Sequence, residues 1–285
     1  MTVLRILTLT SLAMVAFAGN SLLCRAALKD TSIDAASFTS LRLLSGAVAL
    51  WILVRLRAGR VAGEGNWLSA FALFVYAAGF SFAYQSLAAA TGAILLFGAV
   101  QVTMIGYGVW SGERLRVSQL VGLCFAFGGL IGLFLPGISA PPVFGSLLMM
   151  VAGVAWGIYS LRGKGLGNPT KISAGNFLRT VPVTVVMSML FIKSSSLDAE
   201  GAGYAIASGA LASGVGYALW YAVLPHLKAT QAASLQLSVP VIAAAGGILL
   251  LEEPMTLRLM LASLAILGGV ALVIRKKRSM PYVIR

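Results

Sequence analysis

Apolar residues run in long, nearly unbroken stretches along the whole chain, and short polar segments separate them. Each stretch has about 19 to 24 residues, which at about 1.5 Å per residue is enough to cross a hydrocarbon layer of about 30 Å. The pattern predicts an all-α polytopic membrane protein with ten transmembrane helices. The predicted spans are residues 6–24, 35–54, 67–88, 91–111, 117–135, 143–161, 172–192, 201–224, 229–251 and 256–274.

The polar segments between the spans are too short to hold a domain outside the membrane, since no predicted loop exceeds about twelve residues. The chain is 59% hydrophobic and only 10% charged, whereas soluble proteins have about 25% charged residues. This composition excludes a soluble protein. It also excludes a secreted disulfide scaffold, because the chain has only two cysteines.

Positive charge is concentrated on alternate loops. The net charge is +13, which in a soluble protein would favour a nucleic-acid partner, but fifteen of the 21 Lys and Arg residues fall on one face of the predicted topology. By the positive-inside rule, this face and both termini are cytoplasmic. We therefore expect the lipid bilayer as the surrounding partner, and no nucleic acid.

The second half of the chain repeats features of the first half about 140 residues later. Glu113 and Glu253 both follow a span, and a Gly-Gly pair lies in the next span, at 128–129 and at 268–269. Five spans in each half place the second half upside down relative to the first, as in many secondary transporters. Within a single transmembrane domain, the predicted inverted five-helix repeats are residues 1–140 and 141–285.

A Leu-Arg pair lies seven residues into the second and the seventh predicted spans, as Leu41-Arg42 and Leu178-Arg179. A charge inside the hydrocarbon layer is costly unless it has a partner. Two readings remain open: the arginines meet a substrate carboxylate in turn along a polar path, or they donate to loose carbonyl groups and hold the bundle together. The residues predicted to have a structural or gating role are Arg42, Arg179, Glu113, Glu253 and Pro240.

Short motifs recur in order through both halves. The first half has Gly112-Glu113-Arg114-Leu115 before its Gly pair, and the second half has 216–221 (GYALWY), Pro240 and 252–254 (Glu-Glu-Pro) before its own. This arrangement resembles EamA-type members of the drug/metabolite transporter superfamily, and its overall character is most similar to the YddG group of amino-acid exporters. The resemblance implies ten helices, cytoplasmic termini, a central cavity between the halves, and export of amino acids or related metabolites across the cell inner membrane. Val100 stands where the second half has Pro240, so we expect a helix bend on one side only.

Apart from three arginines, the predicted spans contain no ionisable carboxylate, lysine or histidine. Proton-coupled antiport of drugs usually relies on an embedded carboxylate, so we expect facilitated transport that follows the substrate's own gradient. Uncharged polar and aromatic side chains remain to line a cavity, which suits aromatic and other neutral amino acids. The candidate substrate-binding residues are Asn20, Tyr84, Gln85, Gln101, Trp156, Tyr159, Tyr217, Trp220 and Gln236.

The leading hypothesis is a secondary transporter that exports amino acids or related small metabolites by alternating access, as a uniporter. The alternatives are a proton-coupled drug or metabolite exporter and a passive channel for small solutes. We do not expect an enzyme, because the spans offer no nucleophile with a base and no cluster of metal ligands. No catalytic residue, metal or cofactor is predicted. Small-residue faces serve packing within the chain or a seam between two copies, so both a monomer and a weak homodimer stay open.

Overall fold

A computed structural model describes residues 2–56, 64–112, 117–134, 140–163, 168–226 and 235–274, and within these ranges its regular structure is all helical. The helices follow the predicted spans in the same order. Their bounds are α1 Val3–Asp30, α2 Ala35–Leu56, α3 Trp67–Tyr84, α4 Ala89–Trp110, α5 Val117–Phe134, α6 Val143–Gly163, α7 Pro169–Leu190, α8 Ala199–Val223, α9 Ser238–Leu251 and α10 Leu257–Ile274.

Six of these helices, α1 to α4, α6 and α8, are long and apolar enough to cross a membrane. Helices α5, α9 and α10 are apolar but shorter within the described residues, and α7 carries Lys171 and Arg179. Large apolar side chains such as Trp110 and Leu190 are exposed on the outside of the bundle, where lipid is the solvent. The all-helical membrane fold is therefore confirmed. The passage of all ten helices through the bilayer and the side of the termini stay predictions.

Single Asp or Asn residues fix where four of the helices begin. Asp34 caps α2, Asn66 caps α3, Asn168 caps α7 and Asp198 caps α8, each by accepting hydrogen bonds from main-chain N–H groups in the first turn. These N–H groups have no partner within their own helix, so a side-chain acceptor stabilises the helix start. The polar connections therefore determine at which residue these helices begin, which the length of an apolar run alone does not specify.

The packing of the helices follows a regular scheme. Helix α6 packs on α3 and α4, and α1 packs on α8 and α9. The second set of contacts is the first set with each helix replaced by its counterpart five places away in the chain: α6 by α1, α3 by α8 and α4 by α9. Three further contacts join a helix to its own counterpart in the other half: α2 with α7, α4 with α9, and α5 with α10. The scheme has an exception within the described residues: α1 also packs on α3 and α4, whereas α6 does not approach α8 and α9 to the same extent.

Helix α8 changes its winding in the middle. Its central part, Ser208–Val215, is π-helical, between α-helical parts on either side. This part packs closely on α2, because a Cβ atom on Gly209 would overlap the carbonyl oxygen of Arg42 and the hydroxyl of Ser45. Short π-helical parts occur often at functional sites. Within this part Ser208, Gly209, Ala212, Ser213 and Gly214 are buried in the bundle.

Candidate substrate site

Aromatic side chains from four helices meet at the centre of the bundle. The ring of Trp156 lies 4.9 Å from that of Tyr76 and 5.0 Å from that of Tyr217, centroid to centroid, and Phe17 packs edge-on against Trp156 and Tyr217. The enclosed cavity has a volume of about 20 Å³, space for roughly one water molecule, so the bundle is closed around its centre in this conformation. The name central cluster is used below for the cavity-lining residues Phe17, Asn20, Tyr76, Phe80, Trp156 and Tyr217.

A ring of hydrogen bonds joins the central cluster to the helices around it. Ser208 Oγ on α8 donates to Asn20 Oδ1 on α1 at 2.6 Å, and Asn20 Nδ2 donates to the hydroxyl of Tyr76 on α3 at 3.2 Å. Arg42 on α2 donates from Nη2 to the same hydroxyl at 3.0 Å and from Nε to Ser213 Oγ on α8 at 3.5 Å. Four helices are therefore linked through uncharged side chains and one guanidinium group.

The guanidinium group of Arg42 is buried without an acidic partner. Arg42 is 1% exposed, its Cζ lies 4.7 Å from the centroid of Phe80 and 5.1 Å from that of Tyr76, and its Nη1 atom has no hydrogen-bond partner. No salt bridge joins it to any carboxylate in the described part of the chain. A buried cation held only by neutral groups and ring faces carries a large desolvation cost.

Some of the candidate substrate-binding residues are placed together at this centre. Asn20, Trp156 and Tyr217 line the cavity, and Trp220 packs edge-on against the lining residue Phe17 without lining the cavity itself. Tyr159 stacks against Trp156 at 5.6 Å. It lines a second small space of about 10 Å³ together with Ser69, Arg162, Ser173, Asn176 and Tyr221.

Other candidates lie apart from the centre. Tyr84 is buried, and its hydroxyl donates to the carbonyl of Ala89, so it holds the turn between α3 and α4. Gln85 is exposed in that turn, because α3 ends at residue 84 and not at 88. Gln101 and Gln236 are both buried, on α4 and before α9.

The residues with a predicted structural or gating role lie in different parts of the structure. Pro240 is the third residue of α9, in its first turn, where proline is tolerated, and not at a bend inside the helix. Glu113 lies outside the described residues. Arg179 and Glu253 lie at opposite ends of the bundle, as described below.

Four residues at the centre were not selected from the sequence: Phe17, Tyr76, Phe80 and Ser208. The two phenylalanines look like any other phenylalanine in an apolar run, so no sequence signal distinguishes them. Tyr76 could have been found, since a hydroxyl group in the middle of a predicted span must find a partner when it is buried. Its hydroxyl is the group that accepts hydrogen bonds from both Asn20 and Arg42.

An ion pair closes the end of the bundle at which α1 ends. Arg25 Nε donates to Glu253 Oε1 at 2.9 Å, and Glu253 Oε2 accepts from the main-chain N–H of Ala89 at 2.7 Å. Arg25 Nη1 also donates to the carbonyl of Tyr84 at 2.9 Å, and Lys29 Nζ donates to the carbonyl of Leu251 at 2.8 Å. These contacts tie α1 to the start of α4 and to the end of α9.

At the opposite end, two arginines donate to main-chain carbonyls and to neutral side chains. Arg179 Nη1 donates to the carbonyls of Glu64 and Gly175, and Asn176 Oδ1 accepts from the N–H of Asn66 at 2.9 Å. Arg162 donates from Nη2 to the side chain of Asn66 at 3.2 Å. Residues 64–66, directly before α3, are held in this way to α6 and α7.

Comparisons with known proteins identify the family of this structure. Residues 143–275 match the EamA-like transporter family. A Pseudomonas aeruginosa protein named "Uncharacterized protein PA1977" is 58% identical over 95% of this chain and 94% of its own length. An Archaeoglobus fulgidus protein, named an uncharacterized transporter, is 33% identical over 58% of this chain and 60% of its own length. A solved structure, described only as a crystal structure of a protein, shares the fold, with a TM-score of 0.67 at 18% identity over 93% of this chain and 97% of that one.

These findings confirm the resemblance to the EamA-type transporter family, and the closer similarity to the YddG group stays a prediction. A transporter family accounts for a multi-pass apolar bundle whose polar groups gather at its centre. It also confirms that the chain is not an enzyme, since members of the family move solutes. The chain belongs to the EamA-like transporter family of the drug/metabolite transporter superfamily.

Proposed function

We propose that this protein exports aromatic and other neutral amino acids by facilitated uniport, in the manner of the YddG group. The central cluster is the observation that carries the proposal. Its stacked rings match an apolar or aromatic side chain, and its amide and hydroxyl groups match the polar end of an amino acid. The substrate's own gradient is the proposed driving force, because the described residues around the cluster contribute no carboxylate that could exchange a proton.

Alternating access is the proposed mechanism, with residues 1–140 and 141–285 acting as two inverted halves. The packing scheme supports this, since it maps onto itself when helices are exchanged five places along the chain. Its exception supports it further: α1 packs on α3 and α4, with Arg25 bonded to the carbonyl of Tyr84 at the end of α3, and the matching contacts in the second half are looser. In the proposed cycle the halves exchange these roles.

The proposed location is the cell inner membrane, with both termini in the cytoplasm. The distribution of Lys and Arg over alternate loops supports this orientation. The end closed by the pair of Arg25 and Glu253 is then the outer end.

Counterflow in proteoliposomes tests the function. Vesicles loaded with unlabelled phenylalanine should transiently accumulate labelled phenylalanine from outside, and the accumulation should not depend on a pH gradient. A passive channel would give no accumulation above equilibrium, and uphill transport driven by a pH gradient would overturn the uniport. Folded protein that shows no counterflow with any amino acid would overturn the proposed substrates.

Trp156 and Trp110 form a matched pair for locating the site. Trp156 is 6% exposed at the centre, whereas Trp110 is 90% exposed at the end of α4. Replacing Trp156 by Ala should lower initial counterflow at least tenfold, and replacing Trp110 by Ala should change it less than twofold. Trp156→Phe, which keeps a ring, should retain an intermediate rate. Equal rates in all variants would remove the central cluster from the pathway.

A further inference from the structure

Arg42 is the feature that the proposed function leaves unexplained. Amides, hydroxyls and aromatic rings would bind a neutral amino acid without a buried cation, and a buried cation is costly. Two of the three guanidinium nitrogens have partners, Tyr76 for Nη2 and Ser213 for Nε, while Nη1 has none. The group is 1% exposed, so lipid headgroups and bulk water do not reach it in this conformation.

The guanidinium group of Arg42 does not itself line the cavity, but it packs on two residues that do. Tyr76 and Phe80 line the cavity with their rings, and both rings lie within about 5 Å of the guanidinium carbon. Ser213, which accepts from Nε, is four residues before Tyr217 on α8. The hydroxyl of Tyr217, which also lines the cavity, is likewise buried and without a hydrogen-bond partner. The cavity therefore has one unsatisfied polar group on a lining residue, Tyr217, and a second one on Arg42, which contacts the lining residues Tyr76 and Phe80.

We propose that Arg42 Nη1 and the hydroxyl of Tyr217 bind the carboxylate of the substrate, so that the carrier accepts carboxylates and rejects the corresponding amines and amides. The inference rests on the proposed function and adds the group by which the substrate is recognised. A guanidinium group binds a carboxylate more strongly than a neutral donor does, because both the charge and the planar arrangement of its N–H groups match. A bound carboxylate neutralises the buried charge that rings and hydroxyls leave uncompensated.

This recognition gives a definite order among phenylalanine analogues. Phenylalanine and 3-phenylpropionate carry the carboxylate, whereas phenethylamine and phenylalaninamide carry the same ring without it. The first two should compete for counterflow of labelled phenylalanine through the wild-type protein. The other two should compete at least tenfold less well. Phenethylamine offers Arg42 Nη1 no acceptor, phenylalaninamide offers only a neutral oxygen, and both bring an uncompensated positive charge toward the guanidinium group.

The variants assign the discrimination to Arg42. Arg42→Gln should lower phenylalanine counterflow at least tenfold and bring the four competitors within about threefold of one another, and Arg42→Lys should keep part of the preference. Lys193→Gln, which removes an exposed charge, serves as the control and should leave the order unchanged. As a readout apart from transport, phenylalanine should raise the melting temperature of wild-type protein in detergent and not that of Arg42→Gln.

The outcomes separate this inference from the function on which it rests. Wild-type protein that transports phenethylamine or phenylalaninamide as well as phenylalanine overturns the carboxylate site and leaves a carrier. Wild-type protein without counterflow for any carboxylate overturns both. Should Arg42→Gln fail to fold, the order of competitors on the wild type and the behaviour of Arg42→Lys still decide the matter.

Discussion

Arg42 and Arg179 look alike in the sequence and differ in the structure. Each follows a leucine, and both are predicted to lie seven residues into a span. In the structure Arg42 is the eighth residue of α2, fully buried among rings and hydroxyls, with one nitrogen unpartnered. Arg179 is the eleventh residue of α7, half-buried, and donates to the main-chain carbonyls of Glu64 and Gly175.

The difference shows that the surroundings of an arginine side chain determine which of two roles it has. A guanidinium group whose N–H groups end on main-chain carbonyls fixes a connection, and its charge is offset by peptide dipoles next to solvent. A guanidinium group that donates to side chains of neighbouring helices and keeps one N–H group unpartnered can bind a further acceptor, such as a carboxylate. Of the two readings left open by the sequence, the carbonyl-binding one describes Arg179, and the carboxylate-binding one is the reading proposed for Arg42.

The largest effect is expected from Gly209→Ala, which attacks the surroundings of Arg42 and not its charge. The added methyl group would overlap the carbonyl oxygen of Arg42 and the hydroxyl of Ser45, so α2 and the π-helical part of α8 must separate. We expect a loss of stability of about 3 kcal/mol and of most counterflow, measured by melting in detergent and in vesicles. Gly203, on the same helix, has nothing within 4 Å of a built Cβ and is the matched control for substitution by Ala. Equal melting temperatures for the two variants would contradict the close packing.

A smaller effect is expected from Arg179→Gln. The variant loses the hydrogen bonds to the carbonyls of Glu64 and Gly175, which should cost about 1.5 kcal/mol because the charged donor is lost next to solvent. The preference for phenylalanine over phenethylamine should stay within twofold of wild type, in contrast to Arg42→Gln. The contrast between the two arginines would be contradicted if Arg179→Gln changed this preference while its melting temperature equalled that of the control Lys193→Gln.

Much of the fold could be predicted from the sequence, because apolar length alone determines where a helix crosses a bilayer. The ends were less certain: the predicted third span ran to residue 88, and the helix ends at 84, so Gln85 is at the surface. The π-helical part of α8 leaves no trace in the pattern, since Ser208–Val215 is as small and apolar as its neighbours.

The site was predictable only in part, for a related reason. Trp156 and Tyr217 stand out as deep aromatic residues, and they meet at the centre. The partners of Arg42 lie 34 and 171 residues away, at Tyr76 and Ser213, and only the packing of α2 against α3 and α8 brings them together. Without those contacts, nothing in the sequence separates Arg42 from Arg179.

The smallest effect is expected from Asp34→Asn. This substitution makes the start of α2 resemble the start of α7, where Asn168 is the cap. Asp34 Oδ1 accepts from the N–H groups of Ala36 and Ser37, and its Oδ2 accepts from that of Ser196 at 2.9 Å. Asparagine can keep the cap, but its NH₂ group faces the N–H of Ser196. The loss should stay below about 1 kcal/mol at pH 7, since solvent screens this partly exposed site.

The pH dependence then tells a titrating cap from a neutral one. Partial burial raises the pKa of Asp34, but hydrogen bonds from Ser37, Ser196 and Ala36 outweigh burial, and the pKa lies below its ordinary value of 3.8. The carboxylate therefore stabilises the fold fully above that ordinary value, and its contribution is lost as the pH falls through the lowered pKa of the folded protein. Melting temperatures of wild type and Asp34→Asn should differ at pH 7, and the difference should be smaller at about pH 3, below the ordinary value. Asp30→Asn, which removes an exposed carboxylate 3.9 Å from Lys29, should show little difference at pH 7. A difference for Asp34→Asn that is the same at both pH values would mean that shape and not charge holds the start of α2, as it does at α7.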